Sequence, residues 1–221
     1  MSNVKLLVAA LPAIGKTTLL QNLTDTLVIA RDGKKYPFAQ PHINVPDYTS
    51  VSELIDIISN TVEKYENKMG ELPKTVAIDS ISKILLDIEG YCLATIKSFP
   101  YGKINTEIKE FVDFIERDLA DAFNVVLVSH ALYNEDTVGY SLVNAGGSYG
   151  KKGGILSEVD ESVFLELKGK NRVIHYRNPK MCARTTVKKL PDSIDNKDFD
   201  LQKHLDMLQS RQSEATAWSL G

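Results

Sequence analysis

Gly15, Lys16 and Thr17 follow one another in the segment ALPAIGKTT, which combines a glycine, a cation and a hydroxyl group. The spacing matches the phosphate-binding pattern G-x-x-x-x-G-K-[ST], except that Ala10 replaces the first glycine. In such a loop, backbone N–H groups point at phosphate oxygens, the lysine places its charge on the β- and γ-phosphates, and the hydroxyl binds Mg²⁺. The predicted nucleotide-binding residues are Pro12, Ala13, Ile14, Gly15, Lys16, Thr17 and Thr18.

A chance GKTT at the start of a helix is the alternative. The context argues against it, because a continuous apolar run at residues 5–9 predicts a buried strand and residues 16–23 predict a helix. A strand, a loop and a helix in that order are what the motif requires. We expect Ala10 to be tolerated if its φ is negative.

Asp79 follows the apolar run TVAI at the end of a predicted buried strand. A lone aspartate there can cap the next helix. In a protein with a phosphate-binding loop, the same position holds the magnesium shell, usually through a water. The pairing of the two motifs favours Thr17 and Asp79 as the magnesium residues.

Asp32 is the candidate for the carboxylate that positions the attacking water. It follows the strand TLVIA, so its side chain is expected near the phosphates. Asp32-Gly33 is also a strong turn pair, and a turn residue is the equal alternative.

Ser129 and His130 end the apolar strand NVVLV. A polar group there can sense the γ-phosphate, because ligands gather at the carboxyl ends of parallel strands. A Ser–His hydrolase pair is one alternative, although no nucleophile-elbow pattern surrounds Ser129. A structural histidine is the other.

Strands and helices alternate over the first two-thirds of the chain. This order predicts an α/β fold with a mostly parallel central sheet flanked by helices, and with antiparallel edge strands near the C-terminus. We expect one domain over residues 1–209 and a polar tail over 210–221. Further strands are predicted at 26–30, 75–78, 124–128, 162–168, 172–176 and 185–189. Further helices are predicted at 51–66, where Ser50 and Glu53 form a capping box, and at 80–96, 108–119 and 201–209.

The composition is that of an ordinary globular chain, with 43% hydrophobic and 25% charged residues. A net charge of -3 leaves no general positive field for nucleic acid, so any such contact needs local basic patches. No apolar stretch is long enough to span a membrane, and the early run LLVAALPAI leads directly into GKTT. Two cysteines far apart agree with a reducing cytoplasm.

The segments ALPAIGKTT, TLVIARDG, TVAIDSISKI and NVVLVSHAL resemble the RecA-like core ATPases, and most closely the small phage-encoded nucleotide-binding proteins of that class. Some of those are single-strand-annealing recombination proteins. The resemblance covers residues 5–190 and implies ATP as the nucleotide. It places Asp32 where the family has a catalytic glutamate, and the shorter carboxylate implies weak or conditional hydrolysis. It also implies a polar sensor at Ser129 and His130.

The resemblance further implies an oligomer with ATP between subunits. The segment RNPKMCAR corresponds to one that inserts basic residues into the neighbour's site, with Arg177, Lys180 and Arg184 as candidates. Residues 146–154 correspond to a mobile loop that contacts DNA in RecA-like recombinases, which makes Lys151 and Lys152 candidate DNA contacts. If the chain binds single-stranded DNA, Tyr149 in the same loop is a candidate for stacking on a base. The plain alternatives are solvated loop charges, a packing tyrosine and polar residues beside strands.

Three functions follow as hypotheses. The first is an ATPase that assembles on single-stranded DNA in phage recombination, annealing or replication, with a single-strand-binding protein as a possible partner. The second is a nucleotide-gated switch or assembly module without DNA binding, which the acidic balance supports. The third is a small-molecule kinase, for which the sequence shows no clear lid.

Overall fold

A computed structural model describes residues 3–33, 35–145, 148–151 and 153–216 of the chain. The strands are β1 (Lys5–Ala10), β2 (Thr26–Ala30), β3 (His42–Asn44), β4 (Thr75–Asp79), β5 (Asn124–Asn134), β6 (Gly139–Leu142), β7 (Glu161–Lys168), β8 (Asn171–His175) and β9 (Ser193–Asp195). The helices are α1 (Lys16–Leu19), α2 (Val51–Met69), α3 (Ile81–Thr95), α4 (Tyr101–Phe114), α5 (Ala120–Ala122), α6 (Ser148–Lys151) and α7 (Leu201–Thr216). A π-helical turn, Ile115–Leu119, joins α4 to α5.

The strands form one sheet in the order β3-β2-β4-β5-β1-β7-β8-β9, with β6 paired to the end of β5. The strands from β3 to β7 in this order are parallel, whereas β8, β9 and β6 pair with their neighbours in antiparallel fashion. The predicted fold class is therefore confirmed, including the antiparallel strands near the C-terminus.

Both faces of the sheet are covered, which explains why its central strands are apolar throughout. Leu7 of β1 faces the cluster built with α2, α3 and α4, whereas Leu6 and Val8 face a second cluster closed by α1 and α7. All three side chains are fully buried. Since the strands are held from both sides, their carboxyl ends form a rigid edge at which functional groups can be fixed.

The segment 185–189, predicted as a strand, is not one; the last strand is β9. In this segment, side-chain oxygens accept hydrogen bonds from backbone N–H groups that a strand would use to pair with its neighbour. The Thr186 N–H donates to Glu161 at 2.8 Å, and the Val187 N–H donates to the Thr185 hydroxyl at 3.0 Å. Arg184, just before the segment, makes an isolated bridge with Ser162.

The last helix, α7, continues to Thr216 rather than ending at residue 209. The end of the predicted polar tail, residues 217–221, lies outside the described residues. Within the described part of the chain, no helix combines the length and the apolar character that crossing a membrane requires.

Candidate active site

The phosphate loop connects the central strand β1 to helix α1. Ala10 is the last residue of β1 and is extended, so the alanine that replaces the first motif glycine is in a conformation any residue adopts. Gly15 precedes α1 with φ of 108°, and Ala13 has φ of 62°. Left-handed residues in such a loop turn successive N–H groups inward, which creates an anion-binding concavity.

Lys16 lies at the bottom of this loop and is only 5% exposed. Its ammonium group donates to the carbonyl oxygens of Ala10 at 3.0 Å and Leu11 at 2.9 Å. Its Nζ also lies 3.1 Å from Nδ1 of His130. Because an ammonium group has no lone pair, that nitrogen of His130 must be the acceptor, which places the ring proton on Nε2. The predicted sensor therefore contacts the predicted phosphate-binding lysine.

Asp79 ends β4, and its carboxylate faces the loop. Oδ2 accepts hydrogen bonds from the Thr17 hydroxyl at 2.7 Å and from the Tyr36 hydroxyl at 2.8 Å. Helix α3 is capped by Ser80, whose Oγ accepts from the Lys83 N–H, so Asp79 is not the cap. The helix-cap alternative for Asp79 is thus removed by its neighbour.

Burial raises the pKa of Asp79 above its ordinary value, and the nearby Asp32 raises it further. The hydrogen bonds from Thr17 and Tyr36 and the charge of Lys16 oppose this rise. A buried carboxylate next to a hydroxyl oxygen is a donor set that suits Mg²⁺, which prefers oxygen ligands and keeps several waters. Thr17 and Asp79 therefore fit the metal that a bound nucleotide brings.

Asp32 lies in the bend after β2 and lines the same cleft, which has a volume of about 170 Å³. Gly33 follows with φ of 69°, so Asp32 is also a turn residue. Its place in a turn therefore does not keep Asp32 away from the cleft, and its catalytic role stays a prediction. The cleft is lined by Ala13, Gly15, Lys16, Thr17, Asp32, Asp79 and His130.

Ser129 and His130 do not form a catalytic pair. The Ser129 side chain is fully buried and donates to the carbonyl of His130 at 3.2 Å. Successive residues of a strand point to opposite faces, and only His130 faces the cleft. The geometry excludes a Ser–His hydrolase pair at this strand end.

The basic residues predicted to act on a neighbouring subunit lie away from the cleft of their own chain. Arg177 donates to the carbonyl oxygens of Leu190 and Val187 at 2.7 and 2.5 Å. Arg184 pairs with Ser162 near the start of β7, opposite the end next to the phosphate loop, and its guanidinium contacts the Val159 carbonyl. Lys180 is exposed.

Of the predicted DNA-contacting residues, Tyr149 lies in the short helix α6. Its ring packs against the main core, and its hydroxyl is buried with no hydrogen-bond partner in the described part of the chain. The ring is not positioned to stack on a base in this conformation. Lys151 ends α6, whereas Lys152 lies outside the described residues, as do Gly146 and Gly147 of the predicted loop.

Sequence reasoning missed two residues near the phosphate loop and Asp79. Tyr36 comes from the irregular segment between β2 and β3, where no periodic pattern indicates a direction for a side chain. Arg172 on β8 brings its guanidinium to Gly15, where an added Cβ would lie 3.3 Å from Cζ of Arg172. The available signal was a basic residue beside a predicted hairpin turn, which alone does not indicate a phosphate site.

A search of curated proteins finds no significant match to the chain. A family model described as an AAA domain matches residues 2–197, which includes the phosphate loop, Asp79 and all the strands. The match agrees with the phosphate-loop motif and with the mostly parallel sheet. The chain therefore belongs to the AAA domain family, and its domain is of the P-loop NTPase type.

Proposed function

We propose that this domain binds ATP with Mg²⁺ and hydrolyses it, slowly or conditionally. The observation that carries the proposal is the convergence of Lys16, Thr17 and Asp79 in one cleft at the carboxyl ends of β1 and β4. Chance would not bring a buried lysine, a hydroxyl and a buried carboxylate to the same edge of the sheet in the spacing that phosphates and magnesium need.

Each residue has a definite task in this proposal. The loop N–H groups and Lys16 bind phosphate oxygens, and Lys16 exchanges the carbonyls of Ala10 and Leu11 for the ligand. Thr17 and Asp79 hold the magnesium, which neutralises charge on the phosphates when bound. Asp32 orients the attacking water, and His130 senses the γ-phosphate through its contact with Lys16.

We further propose that the domain is of the RecA-like kind and acts as a homo-oligomer on single-stranded DNA in the host cytoplasm, in phage recombination, annealing or replication. The sequence resemblance supports this role and a single-strand-binding protein as partner. The position of Arg184 supports action on a neighbour, because it lies far from its own phosphate loop. Tyr149, Lys151 and Lys152 are the proposed DNA contacts, and Tyr149 must leave the core to stack.

A nucleotide-gated switch without DNA binding is the second candidate. The packed ring of Tyr149 and the net charge of -3 both favour it. In this case, ATP would change contacts with another protein rather than with a phosphate backbone.

The test is steady-state ATP hydrolysis and ATP binding, with and without single-stranded DNA, at low and high salt. Lys16→Ala should abolish both, whereas Lys68→Ala removes an equal charge from the exposed side of α2 and should change neither. DNA-stimulated turnover that salt weakens supports the DNA role. Binding that is indifferent to DNA supports the switch. Equal binding by wild type and Lys16→Ala would overturn the ATPase proposal itself.

A further inference from the structure

The hairpin formed by β7 and β8 extends past the end of the phosphate-loop strand. Ala10, the last residue of β1, pairs with Leu165, but β7 continues to Lys168. On the returning strand, Arg172 pairs with Leu167. Arg172 therefore stands beyond the end of β1, at the level where the chain enters the phosphate loop.

At this level the Arg172 guanidinium lies against the backbone of Gly15. A Cβ built on Gly15 would meet Cζ at 3.3 Å and Nη1 at 3.5 Å. Arg172 is exposed, and across residues 3–33, 35–145, 148–151 and 153–216 its side chain has no hydrogen bond or ion pair. No carboxylate within the described chain thus accounts for its position over the loop.

We propose that Arg172 is a nucleotide-binding residue that contacts phosphate oxygens of the ATP held by its own chain, and this inference rests on the proposed function. A guanidinium group binds two oxygens of a phosphate at once, in a planar geometry that an ammonium group cannot copy. Lys16 lies at the bottom of the cleft, whereas Arg172 approaches the loop from the adjacent hairpin. The triphosphate is then held by one cation from β1–α1 and another from β7–β8.

The position of Arg172 makes this contact independent of assembly. Arg177 and Arg184 donate to carbonyl groups remote from the loop, so they act on phosphates only if a neighbour brings its own site to them. Arg172 already touches the loop of its own chain. Phosphate binding by this residue should therefore be measurable at protein concentrations at which the chain is monomeric.

The experiment compares Arg172→Ala and Arg172→Lys with the matched control Lys170→Ala, which removes a charge from the exposed turn of the same hairpin. Binding of ATP, ADP and inorganic triphosphate is measured by calorimetry. We expect Arg172→Ala to weaken ATP and triphosphate binding by roughly tenfold or more, which is the range for charge-assisted hydrogen bonds. Arg172→Lys should recover only part of the loss, Lys170→Ala should match wild type, and all three should melt at the wild-type temperature.

Three results would overturn the role of Arg172 but leave the proposed function standing. They are ATP binding by Arg172→Ala equal to that of Lys170→Ala, tighter ATP binding by Arg172→Ala, or full recovery of ATP binding when Arg172→Ala is mixed with Lys16→Ala. The last result would mean that Arg172 acts on a neighbour. If wild type and Lys16→Ala bind ATP equally or not at all, the proposed function fails, and the role of Arg172 fails with it. Loss of binding in Lys16→Ala together with unchanged binding in Arg172→Ala separates the two cases.

Discussion

At the scale of single residues, Gly15 has the backbone conformation that the proposed phosphate binding requires of the loop. Its φ of 108° is one that side-chain-bearing residues rarely adopt. An added Cβ would also touch the guanidinium of Arg172, although that side chain is long enough to move.

We predict that Gly15→Ala abolishes ATP binding, because the loop can no longer hold its N–H groups around the phosphates. Gly70→Ala is the matched control, since Gly70 has φ of 83° at the end of α2, far from the cleft. Both variants should lose roughly 1–2 kcal/mol of stability. Only Gly15→Ala should lose binding in calorimetry; retained binding would show that the loop conformation is not required.

A second residue-scale prediction concerns Tyr36, one of two hydroxyl donors to the same oxygen of Asp79. Asp79 must be ionised to hold magnesium, so activity is lost as pH falls through its pKa. Burial and Asp32 already raise that pKa, and the Tyr36 hydroxyl opposes the rise. Tyr36→Phe should therefore move the acidic limb of the pH–activity profile to higher pH.

The control is Tyr133→Phe, which removes an exposed hydroxyl on the hairpin of β5 and β6. An acidic limb that stays in place in Tyr36→Phe would show that the hydrogen bond does not govern the ionisation of Asp79.

Lys16, Thr17 and Asp79 could be predicted because the phosphate-loop motif is contiguous and because parallel strands end at one edge. The same edge rule brought His130 and Asp32 into the cleft. Tyr36 could not be predicted, because it comes from an irregular loop. Arg172 could not be predicted either, because its position depends on the pairing of β1 with β7, two strands that are far apart in sequence.

At the scale of elements, a buried carboxylate joins three helices on one face of the sheet. Glu107 of α4 is only 3% exposed. It accepts from the Val51 N–H at the start of α2 at 3.0 Å and from the Tyr91 hydroxyl of α3 at 2.5 Å. Lys103 forms an ion pair with its other oxygen. Burial disfavours the charge, but these donors outweigh it and lower the pKa of Glu107.

We predict that Glu107→Gln lowers the free energy of unfolding by about 2 kcal/mol, because the amide leaves charged and hydroxyl donors poorly matched. Glu110→Gln makes the same change at an exposed position of α4 and should have little effect. Urea unfolding of the two variants measures the difference, and equal midpoints would contradict the structural role of Glu107.

Apart from the short strand β3, which is not among the predicted strands, the order of elements up to β5 was predictable because apolar runs and helical periodicities alternate clearly. The prediction of a strand at 185–189 was wrong. The side chains of Thr185 and Glu161 accept hydrogen bonds from N–H groups that a strand would need for pairing. Local β-forming residues indicate a strand, but a side chain distant in sequence decides the pairing. The full length of α7 could not be predicted either, because its last turns are polar and lack apolar residues at helical spacing.

At the scale of the whole molecule, α7 closes the second face of the sheet and buries a histidine there. His204 is 5% exposed, and its ring lies 5.2 Å from that of Tyr176 and 5.6 Å from that of Phe199. Burial lowers the pKa of His204 from 6.5 to about 4, although the charge of Glu161 acts in the opposite direction.

This shift predicts how the stability of the whole domain depends on acid. The unfolded chain takes up a proton at His204 below pH 6.5, whereas the folded chain does so only near pH 4. Stability from this group is thus intact above pH 6.5 and falls by up to roughly 3 kcal/mol as pH drops to 4. His204→Phe should flatten the difference between urea unfolding at pH 7.5 and pH 5, and His42→Phe, at an exposed position, should not. Parallel pH profiles for wild type and His204→Phe would contradict the assignment.

Strand β5 has a practical use that follows from its length. Its 11 residues begin between β1 and β4, carry His130 past Lys16, and end in the hairpin with β6. Val138 in the turn of that hairpin is 58% exposed, whereas Cys92 is buried and Cys182 is half-buried. A fluorophore attached through Val138→Cys would therefore lie in the turn that follows β5, the strand whose His130 contacts Lys16. The chain thus offers an attachment point for an optical sensor of nucleotide occupancy.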